Sequence, residues 1–306
     1  MGWKSTHAEP AAPRRYLGLE LSGAKNPKTA LSALEYYPRE KKIFLLDVYD
    51  RVVPLGHETS DNALLGLIGE LRVGVSRMGV NVPLSLPPCF LCTPRICKKP
   101  AECSSVDSKW MRDYVKRTAR AAQAKGIRSL PITPYTQRPI ELFVRYSILP
   151  KIPENLRFEI DETLGGNRAP LTARMHFLKR ALEDFQLVEV WPKLSVSLFA
   201  DPLKLSKRVL QNYRQLESGV DARTEILEHI SERQGVFIYD RDLKKLSASL
   251  AAFDSFICAY TALLVDLGLC QKSPAGFPKK SGWIAIPNSA GLGLRAEGPR
   301  SGEVLA

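Results

Sequence analysis

The sequence predicts an α/β fold whose mixed sheet has three antiparallel strands, then parallel strands, with helices packed against it. Three apolar segments near the N-terminus, residues 16–22, 29–38 and 42–53, are separated by short turns that favour antiparallel hairpins. An amphipathic segment over residues 61–78 then precedes another apolar strand at 79–88. A strand that follows a helix in this way is typical of a sheet that continues in parallel pairing.

The rest of the chain supplies further elements by the same patterns. The predicted helices cover residues 168–185, 202–216, 221–234 and 242–267, and the predicted strands cover 187–192 and 282–287. Three strands, a helix and a further strand is also the order of the RNase H-like core. We therefore predict an RNase H-like domain over residues 16–287, between flexible tails at 1–15 and 288–306.

Positive charge exceeds negative charge: 44 Lys and Arg against 32 Asp and Glu give a formal net charge of +12. Such an excess favours a polyanionic partner, nucleic acid above all. No segment approaches about 18 consecutive apolar residues, and the N-terminus lacks the apolar stretch of a secretory signal. The sequence therefore predicts a cytoplasmic protein that binds nucleic acid and no membrane.

Glu20 places a carboxylate in a strand that is otherwise apolar. Alternation with period two puts the leucines of residues 17–21 on one face and Glu20, flanked by Gly18 and Ser22, on the other. A buried carboxylate is costly unless it is paired or binds a metal. The small neighbours leave room for an ion or a phosphate beside Glu20.

Three further residues complete a candidate catalytic cluster with Glu20. Asp254 has apolar neighbours three and four residues away on the predicted last helix, so it either bonds a nearby polar group or binds a metal. Glu189 lies in the predicted fifth strand, and Asn81 lies in the fourth, near Glu20 if the two strands are adjacent. Phosphodiester hydrolysis uses carboxylates around divalent ions, and Mg²⁺ or Mn²⁺ suits oxygen ligands. We predict Glu20, Glu189 and Asp254 as ligands, with Asn81 as a neutral ligand or a substrate-orienting group.

An insertion at about residues 89–150 carries four of the six cysteines. Cys89 and Cys92 form a Cys-x2-Cys pair, followed by Cys97 and Cys103 in a segment rich in proline and lysine. Four thiolates make a tetrahedral zinc set, and a zinc ion would stabilise a segment with little core of its own. An iron–sulfur cluster and unligated thiols are the alternatives.

The same insertion carries a predicted basic helix over residues 109–128. Basic residues recur there at intervals of three or four, from Lys109 to Arg120, so one face of the helix is positive. Such a face is either simply solvated or follows the phosphates of a nucleic acid. The predicted nucleic-acid contacts are Lys25, Arg112, Lys116, Arg120 and Arg138.

Five short segments occur in an order that resembles a known family. They are residues 17–25 (LGLELSGAK), 80–87 (VNVPLSLP), 188–192 (VEVWP), 254–262 (DSFICAYTA) and 282–287 (GWIAIP). Together they resemble the family called domain of unknown function 429, a family of predicted nucleases with an RNase H-like fold. The resemblance implies acidic site residues at four positions. Glu189 and Asp254 fit that pattern, whereas Glu20 and Asn81 stand where the pattern has aspartate.

The resemblance and the acidic cluster imply a metal-dependent nuclease that hydrolyses nucleic-acid phosphodiesters. The alternative is an RNase H-like protein that binds nucleic acid and cleaves it weakly or not at all, because Asn81 lacks the charge of an aspartate. A phosphotransferase on the related actin-like fold is a third reading, which the lack of glycine-rich phosphate loops disfavours.

Overall fold

The protein forms an α/β fold around one mixed sheet. The structure, a computed structural model, describes residues 12–24, 28–97 and 99–288. The strands are β1 (Arg14–Glu20), β2 (Ala30–Tyr37), β3 (Lys42–Tyr49), β4 (Val75–Val80), β5 (Leu187–Val190), β6 (Val236–Phe237) and β7 (Ile284–Ala285). Within the described residues they form a sheet in the order β6-β3-β2-β1-β4-β5-β7. β1, β2 and β3 pair antiparallel, whereas β4, β5 and β7 continue in parallel from β1, which confirms the predicted mixed sheet.

Helices lie on both faces of this sheet. They are α1 (Ser60–Glu70), α2 (Val106–Gln123), α3 (Pro139–Phe143), α4 (Arg168–Leu178), α5 (Pro192–Leu203), α6 (Lys207–Asn212), α7 (Gly219–Gln234), α8 (Asp240–Ala248) and α9 (Leu250–Asp266). Helix α1 is shorter than predicted. The chain turns at Gly74, whose φ of 76° suits glycine, and enters β4 at the next residue.

The predicted last helix, residues 242–267, is two helices. Ser249 between α8 and α9 has an extended backbone, and its hydroxyl accepts a hydrogen bond from the Ala252 N–H at 3.2 Å, which caps α9. The axes of α8 and α9 are bent by 114°. Helix α5 and the short strand β6 were not expected from the sequence; α5 begins at Pro192, a residue that suits the first turn of a helix.

Helix α9 packs directly on β1 and β4. A Cβ atom at Gly18 would overlap the Ser255 carbonyl, and a Cβ atom at Gly79 would overlap the Cys258 carbonyl. The two glycines therefore let the helix backbone approach the sheet. The opposite face is covered by α1 and α4, whose apolar side chains pack on the leucines of β1.

The insertion between β4 and α4 has an apolar core of its own, continuous with the edge of the sheet. Met111 of α2 and the residues of α3 pack with Trp191 and Ile284 beside β5 and β7. In the part of the chain that the structure describes, no single helix has the length and apolarity needed to cross a membrane. The bent pair α8 and α9 passes that test only when taken together.

Candidate functional site

Glu20 and Asn81 meet where two central strands end. β1 and β4 run parallel, with Leu19 opposite Val80, so the next residue of each strand lies at the same edge of the sheet. The Asn81 N–H donates to the Leu19 carbonyl at 3.0 Å, which continues the pairing. The Asn81 Nδ2 donates to Glu20 Oε2 at 2.6 Å. The predicted proximity of Asn81 and Glu20 is confirmed.

Helix α9 brings Asp254 to the same face of the sheet. Its carboxylate is 1% exposed, and Arg214 Nη1 donates to both oxygens, at 3.2 Å and 3.0 Å. The space beside Gly18, expected to hold an ion or a phosphate, is instead filled by the backbone of α9. Glycine at this position thus serves the approach of Asp254 towards Glu20.

The two carboxylates act on each other electrostatically. Burial, and then the negative charge of Asp254, raise the pKa of Glu20 to about 8, against the opposing hydrogen bond from Asn81. Burial also raises the pKa of Asp254, although the Arg214 guanidinium counteracts that rise. A second negative charge beside Asp254 is therefore unfavourable, and Glu20 keeps its proton up to about pH 8.

A cleft opens beside these side chains. One cavity of about 390 Å³ is lined by Glu20, Asn81, Asp161, Gly166, Asn167, Arg168 and Leu171. A neighbouring cavity of about 130 Å³ shares Asn81, Asp161 and Arg168 with it and adds Lys193 and Arg214. Acidic and basic side chains thus face the same solvent-filled space.

Glu189 does not join this cluster. Val80 pairs with Leu19 on one side and with Glu189 on the other, so these three side chains share a face of the sheet. Glu20 and Asn81, one residue further along their strands, point to the opposite face. The prediction that Glu189 ligates a metal together with Glu20 is therefore wrong, because the pleat of the sheet separates them.

The Glu189 carboxylate is instead part of a buried ion-pair cluster. Both of its oxygens accept from Arg138, at 2.7 Å each, and further bonds come from the Leu84 N–H and from Trp191 Nε1, each at 2.9 Å. Burial would raise the pKa of Glu189, but these donors lower it overall. Glu141 accepts from Arg138 on another side, at 3.1 Å.

Two of the predicted phosphate contacts, Arg138 and Lys25, are not part of the surface that the structure describes. Arg138 is 1% exposed and fully occupied by Glu189, Glu141 and Ser85, so it cannot reach a phosphate. That prediction is wrong because Arg138, at the start of α3, is buried in ion pairs with Glu189 and Glu141. Lys25 lies outside the described residues.

Helix α2 begins at Val106 and presents part of its basic face to solvent. Lys109, Lys116 and Arg120 are exposed. Arg112 is partly buried and donates to two loop carbonyls, those of Pro100 at 2.8 Å and Cys103 at 2.5 Å. Arg112 therefore braces the cysteine segment, which leaves Lys116 and Arg120 as the accessible members of the predicted contact set.

The four cysteines of the insertion are free thiols on a surface segment. Cys92 and Cys97 are exposed, and Cys89 and Cys103 are half-buried. Burial raises the pKa of the Cys89 thiol, and the thiols of the other three cysteines raise it further. Those three thiols therefore lie within electrostatic reach of Cys89. Across residues 12–24, 28–97 and 99–288, however, no three His, Cys, Asp or Glu side chains are grouped so that they could hold a metal ion.

Three basic residues at the cleft escaped prediction from the sequence: Arg168, Lys193 and Arg214. They come from the first turn of α4, the first turn of α5 and the loop after α6, far apart along the chain. No motif or spacing marks them. A helix start beside a strand end is the one local signal that could have drawn attention to Lys193, which follows Pro192.

Comparisons with protein-family models, with curated proteins and with solved structures give no match to this chain.

Proposed function

We propose that this protein is a metal-dependent nuclease that hydrolyses nucleic-acid phosphodiesters at the Glu20–Asp254 cluster. The observation that carries the proposal is the meeting of two carboxylates, Glu20 at the end of β1 and Asp254 on α9, beside Asn81 at the end of the adjacent parallel strand β4. Burial, and then the charge of Asp254, raise the pKa of Glu20 to about 8, so the protein itself does not stabilise the ionised carboxylate. Such pairs are candidates for functional sites.

The order of the central strands supports the same proposal. The order β3-β2-β1-β4-β5, with β1 to β3 antiparallel and the others parallel to β1, is compatible with the RNase H-like arrangement. We therefore propose that finer fold assignment along with the function. The net charge of +12 favours the polyanionic substrate that the proposal needs.

The donor set fits one divalent ion better than two. Glu20 and Asp254 supply two carboxylates, and Mg²⁺ is commonly held by one or two carboxylates together with substrate phosphates and water. A bound Mg²⁺ or Mn²⁺ would supply an activated water and stabilise charge on the leaving oxygen. Asn81 holds the Glu20 carboxylate in place through its Nδ2 bond. Arg214, which lines the smaller cavity, pairs with both oxygens of the buried Asp254 carboxylate and so links that carboxylate to the cleft.

The experiment is cleavage of end-labelled single- and double-stranded DNA and RNA, with Mg²⁺, with Mn²⁺ and with excess EDTA. The parent protein should cut at least one substrate in either metal and none in EDTA. Asp254→Asn should lower the rate by about 100-fold or more, because it removes an ionic ligand worth several kcal/mol. Asp184→Asn is the matched control, since Asp184 is 71% exposed and pairs only with Arg72 at the surface.

A nucleic-acid-binding protein without cleavage is the second candidate, and one observation favours it. Arg214 already pairs with both oxygens of Asp254, and Asn81 adds no charge, so the cluster is stable without a cation. Binding that persists in EDTA, with no cleavage by any form, would identify this function. Lys116→Gln with Arg120→Gln should then reduce the salt dependence of binding by about 1.8 in log–log slope, about 0.9 for each lost phosphate contact.

We propose separately that the cysteine segment binds a structural zinc ion, although in the described arrangement its four thiols are not grouped as ligands. The segment is built from short 3-10 turns with exposed side chains, so an ion would supply folding energy that packing does not. Elemental analysis should find about one zinc per chain, and Cys92→Ser should lose it. Cys270→Ser, outside the segment, is the control. Visible absorbance with bound iron would identify a cluster instead, and four titratable thiols without metal would contradict both.

A further inference from the structure

Two helices begin at the smaller cavity of the cleft. Arg168 opens α4 and Pro192 opens α5, and the cavity of about 130 Å³ lies between these two helix starts. Each helix start places the positive end of a helix dipole at the cavity, although Pro170 and Pro192 have no N–H and the Arg168 N–H is bonded to the Gly165 carbonyl at 3.0 Å. Asn81 joins this cavity to the carboxylate cluster.

Three cationic side chains line the same cavity, and the described residues do not provide acceptors for all of their donor groups. Arg168 Nε is buried and has no hydrogen-bond partner in the described part of the chain. Lys193 forms no ion pair among the described residues, and its charge acts on Asp254, whose pKa it helps to lower. Arg214 reaches Asp254 only through Nη1. A buried donor without a partner is costly, so Arg168 Nε indicates an acceptor that the protein does not supply.

Two acids also line the cavity, Glu159 and Asp161, and both are exposed at its rim. Neither forms an ion pair with the three cations, so they leave the inner charge in place. Their negative charge disfavours an anion at the mouth of the cavity. The favourable position for an anion therefore lies deeper in the cavity, near Arg168 and Lys193.

We propose that this cavity is a phosphate-binding subsite in which Arg168, Lys193 and Arg214 hold one phosphoryl group of the substrate. Guanidinium groups bind phosphate oxygens through paired, charge-assisted hydrogen bonds, and the positive ends of the two helix dipoles favour an anion at the same place. The subsite lies next to Glu20 and Asp254, so it would place the neighbouring phosphodiester at the carboxylates. This placement rests on the proposed nuclease function; the binding of phosphate does not.

Arg214 couples the two halves of the cleft. A cation held by Asp254 would compete with the Arg214 guanidinium for the same oxygens. A phosphate in the subsite gives Arg214 another acceptor, so phosphate and cation should each strengthen the binding of the other by the same factor. The subsite therefore makes occupation by substrate and by metal mutually dependent.

The direct test is calorimetric titration of the full chain with inorganic phosphate at low ionic strength, without divalent cations. The parent should bind, and Arg168→Gln and Lys193→Gln should each weaken binding by about tenfold, the value of one charge-assisted bond. Arg180→Gln and Lys279→Gln are matched controls on exposed residues outside the cavity. No binding by the parent, or equal weakening in all four variants, would overturn the subsite. The Lys193 side chain makes no hydrogen bond or ion pair within the described residues, so Lys193→Gln keeps the test decisive if Arg168→Gln does not fold.

Oligonucleotides distinguish the source of the phosphoryl group. If the subsite holds a chain end, a 5′- or 3′-phosphate should raise affinity over hydroxyl ends in the parent and not in Arg168→Gln. If it holds an internal diester, affinity should depend on Arg168 but not on the ends. Affinity that is independent of Arg168 in all substrates would reject the subsite even if cleavage occurs. Phosphate binding without cleavage would reject the nuclease function alone.

The coupling is tested by titrating Mg²⁺ with and without phosphate. Phosphate should tighten Mg²⁺ binding in the parent, and Arg214→Gln should abolish the effect. Arg180→Gln should retain it. Equal Mg²⁺ affinity with and without phosphate in the parent would remove Arg214 from the proposal.

Discussion

Two clusters of buried acids lie on opposite faces of the same sheet, and they differ in how far the protein satisfies them. Around Glu189, Arg138 and two further groups of the protein, the Leu84 N–H and Trp191 Nε1, donate to the carboxylate, and its pKa falls below the ordinary value. The Glu20 carboxylate accepts one hydrogen bond, from the Asn81 amide. Burial and the negative charge of Asp254 outweigh that bond and raise the pKa of Glu20 to about 8. The strands that carry Glu20 and Glu189 are separated only by β4.

The difference shows how burial alone misleads. Both glutamates are strand residues with apolar neighbours, and both would be costly without partners. The number of donors decides what each contributes: Glu189 holds the insertion to the sheet through Arg138, whereas Glu20 accepts from the Asn81 amide and resists ionisation beside a cleft. The first arrangement stabilises the fold, and the second suits a ligand that brings positive charge.

The largest effect is expected from breaking the satisfied cluster. Arg138→Met would leave the Glu189 and Glu141 carboxylates buried and unpaired, and should lower the free energy of unfolding by about 3–5 kcal/mol. Urea unfolding measures the loss. Adding Glu189→Gln and Glu141→Gln to the same chain should recover part of it, because the remaining charges are removed. A loss below about 1 kcal/mol would mean that Glu189 is satisfied without Arg138.

The second-largest effect is expected on cleavage activity, which should fall in a Glu20 variant and stay nearly unchanged in a Glu189 variant. Glu20→Gln removes a charged ligand and should lower metal-dependent cleavage by about 100-fold, or about 2.7 kcal/mol, with the fold intact. Glu189→Gln should leave cleavage per folded molecule within about threefold of the parent, since Glu189 faces away from the cleft. Circular dichroism fixes the folded fraction for each variant. Equal losses in both would contradict the assignment of one cluster to function and the other to structure.

The pH dependence of stability should have opposite sign at the two sites. The pKa of Glu20 is about 8 when folded and about 4.3 when unfolded, so between these values the folded chain keeps a proton that the unfolded chain releases. Its contribution to stability is therefore lost as pH rises through that range. Glu20→Gln should be more stable than the parent by about 1–3 kcal/mol at pH 8, allowing for partial solvent screening, and equal to it near pH 4. Urea unfolding at a series of pH values measures this.

At Glu189 the pH dependence of stability has the opposite sign. Because its folded pKa is lowered, its contribution is present above the unfolded value of about 4.3 and is lost as pH falls through the folded value. The acid limb of the stability curve should therefore flatten in Glu189→Gln and persist in Glu20→Gln. If both variants had the same acid limb in a plot of stability against pH, neither carboxylate would be linked to unfolding as the structure indicates.

The smallest effect is expected at Asn81. Asn81→Asp adds a third carboxylate beside Glu20, which should strengthen cation binding and raise Mg²⁺- or Mn²⁺-dependent cleavage by about fivefold, or about 1 kcal/mol. Without metal, the added charge should lower stability at high pH. Asn288→Asp, an exposed residue after β7, is the control. If cleavage stays absent in both the parent and Asn81→Asp, the binding function is favoured over the nuclease.

Much of the fold follows from local pattern. Alternating leucines and short turns determine β1 to β3, and the amphipathic period determines α1 and α4, since each element has one face that must be buried. Glu20, Asn81 and Asp254 stand out because each is a polar residue at an apolar position. Their common location follows once β4 lies beside β1 and an apolar helix covers Gly18 and Gly79.

Local pattern therefore predicts the mixed sheet and marks Glu20, Asn81 and Asp254 as polar residues at apolar positions. The remaining features depend on packing between distant segments. Glu189 and Arg138 were assigned to function by residue type, but the pleat turns Glu189 to the far face and burial joins it to Arg138. Arg168, Lys193 and Arg214 reach the cleft only because α4, α5 and the loop after α6 converge there. Periodicity shows which face of an element is buried, but the partners of a buried charge come from distant parts of the chain and depend on packing.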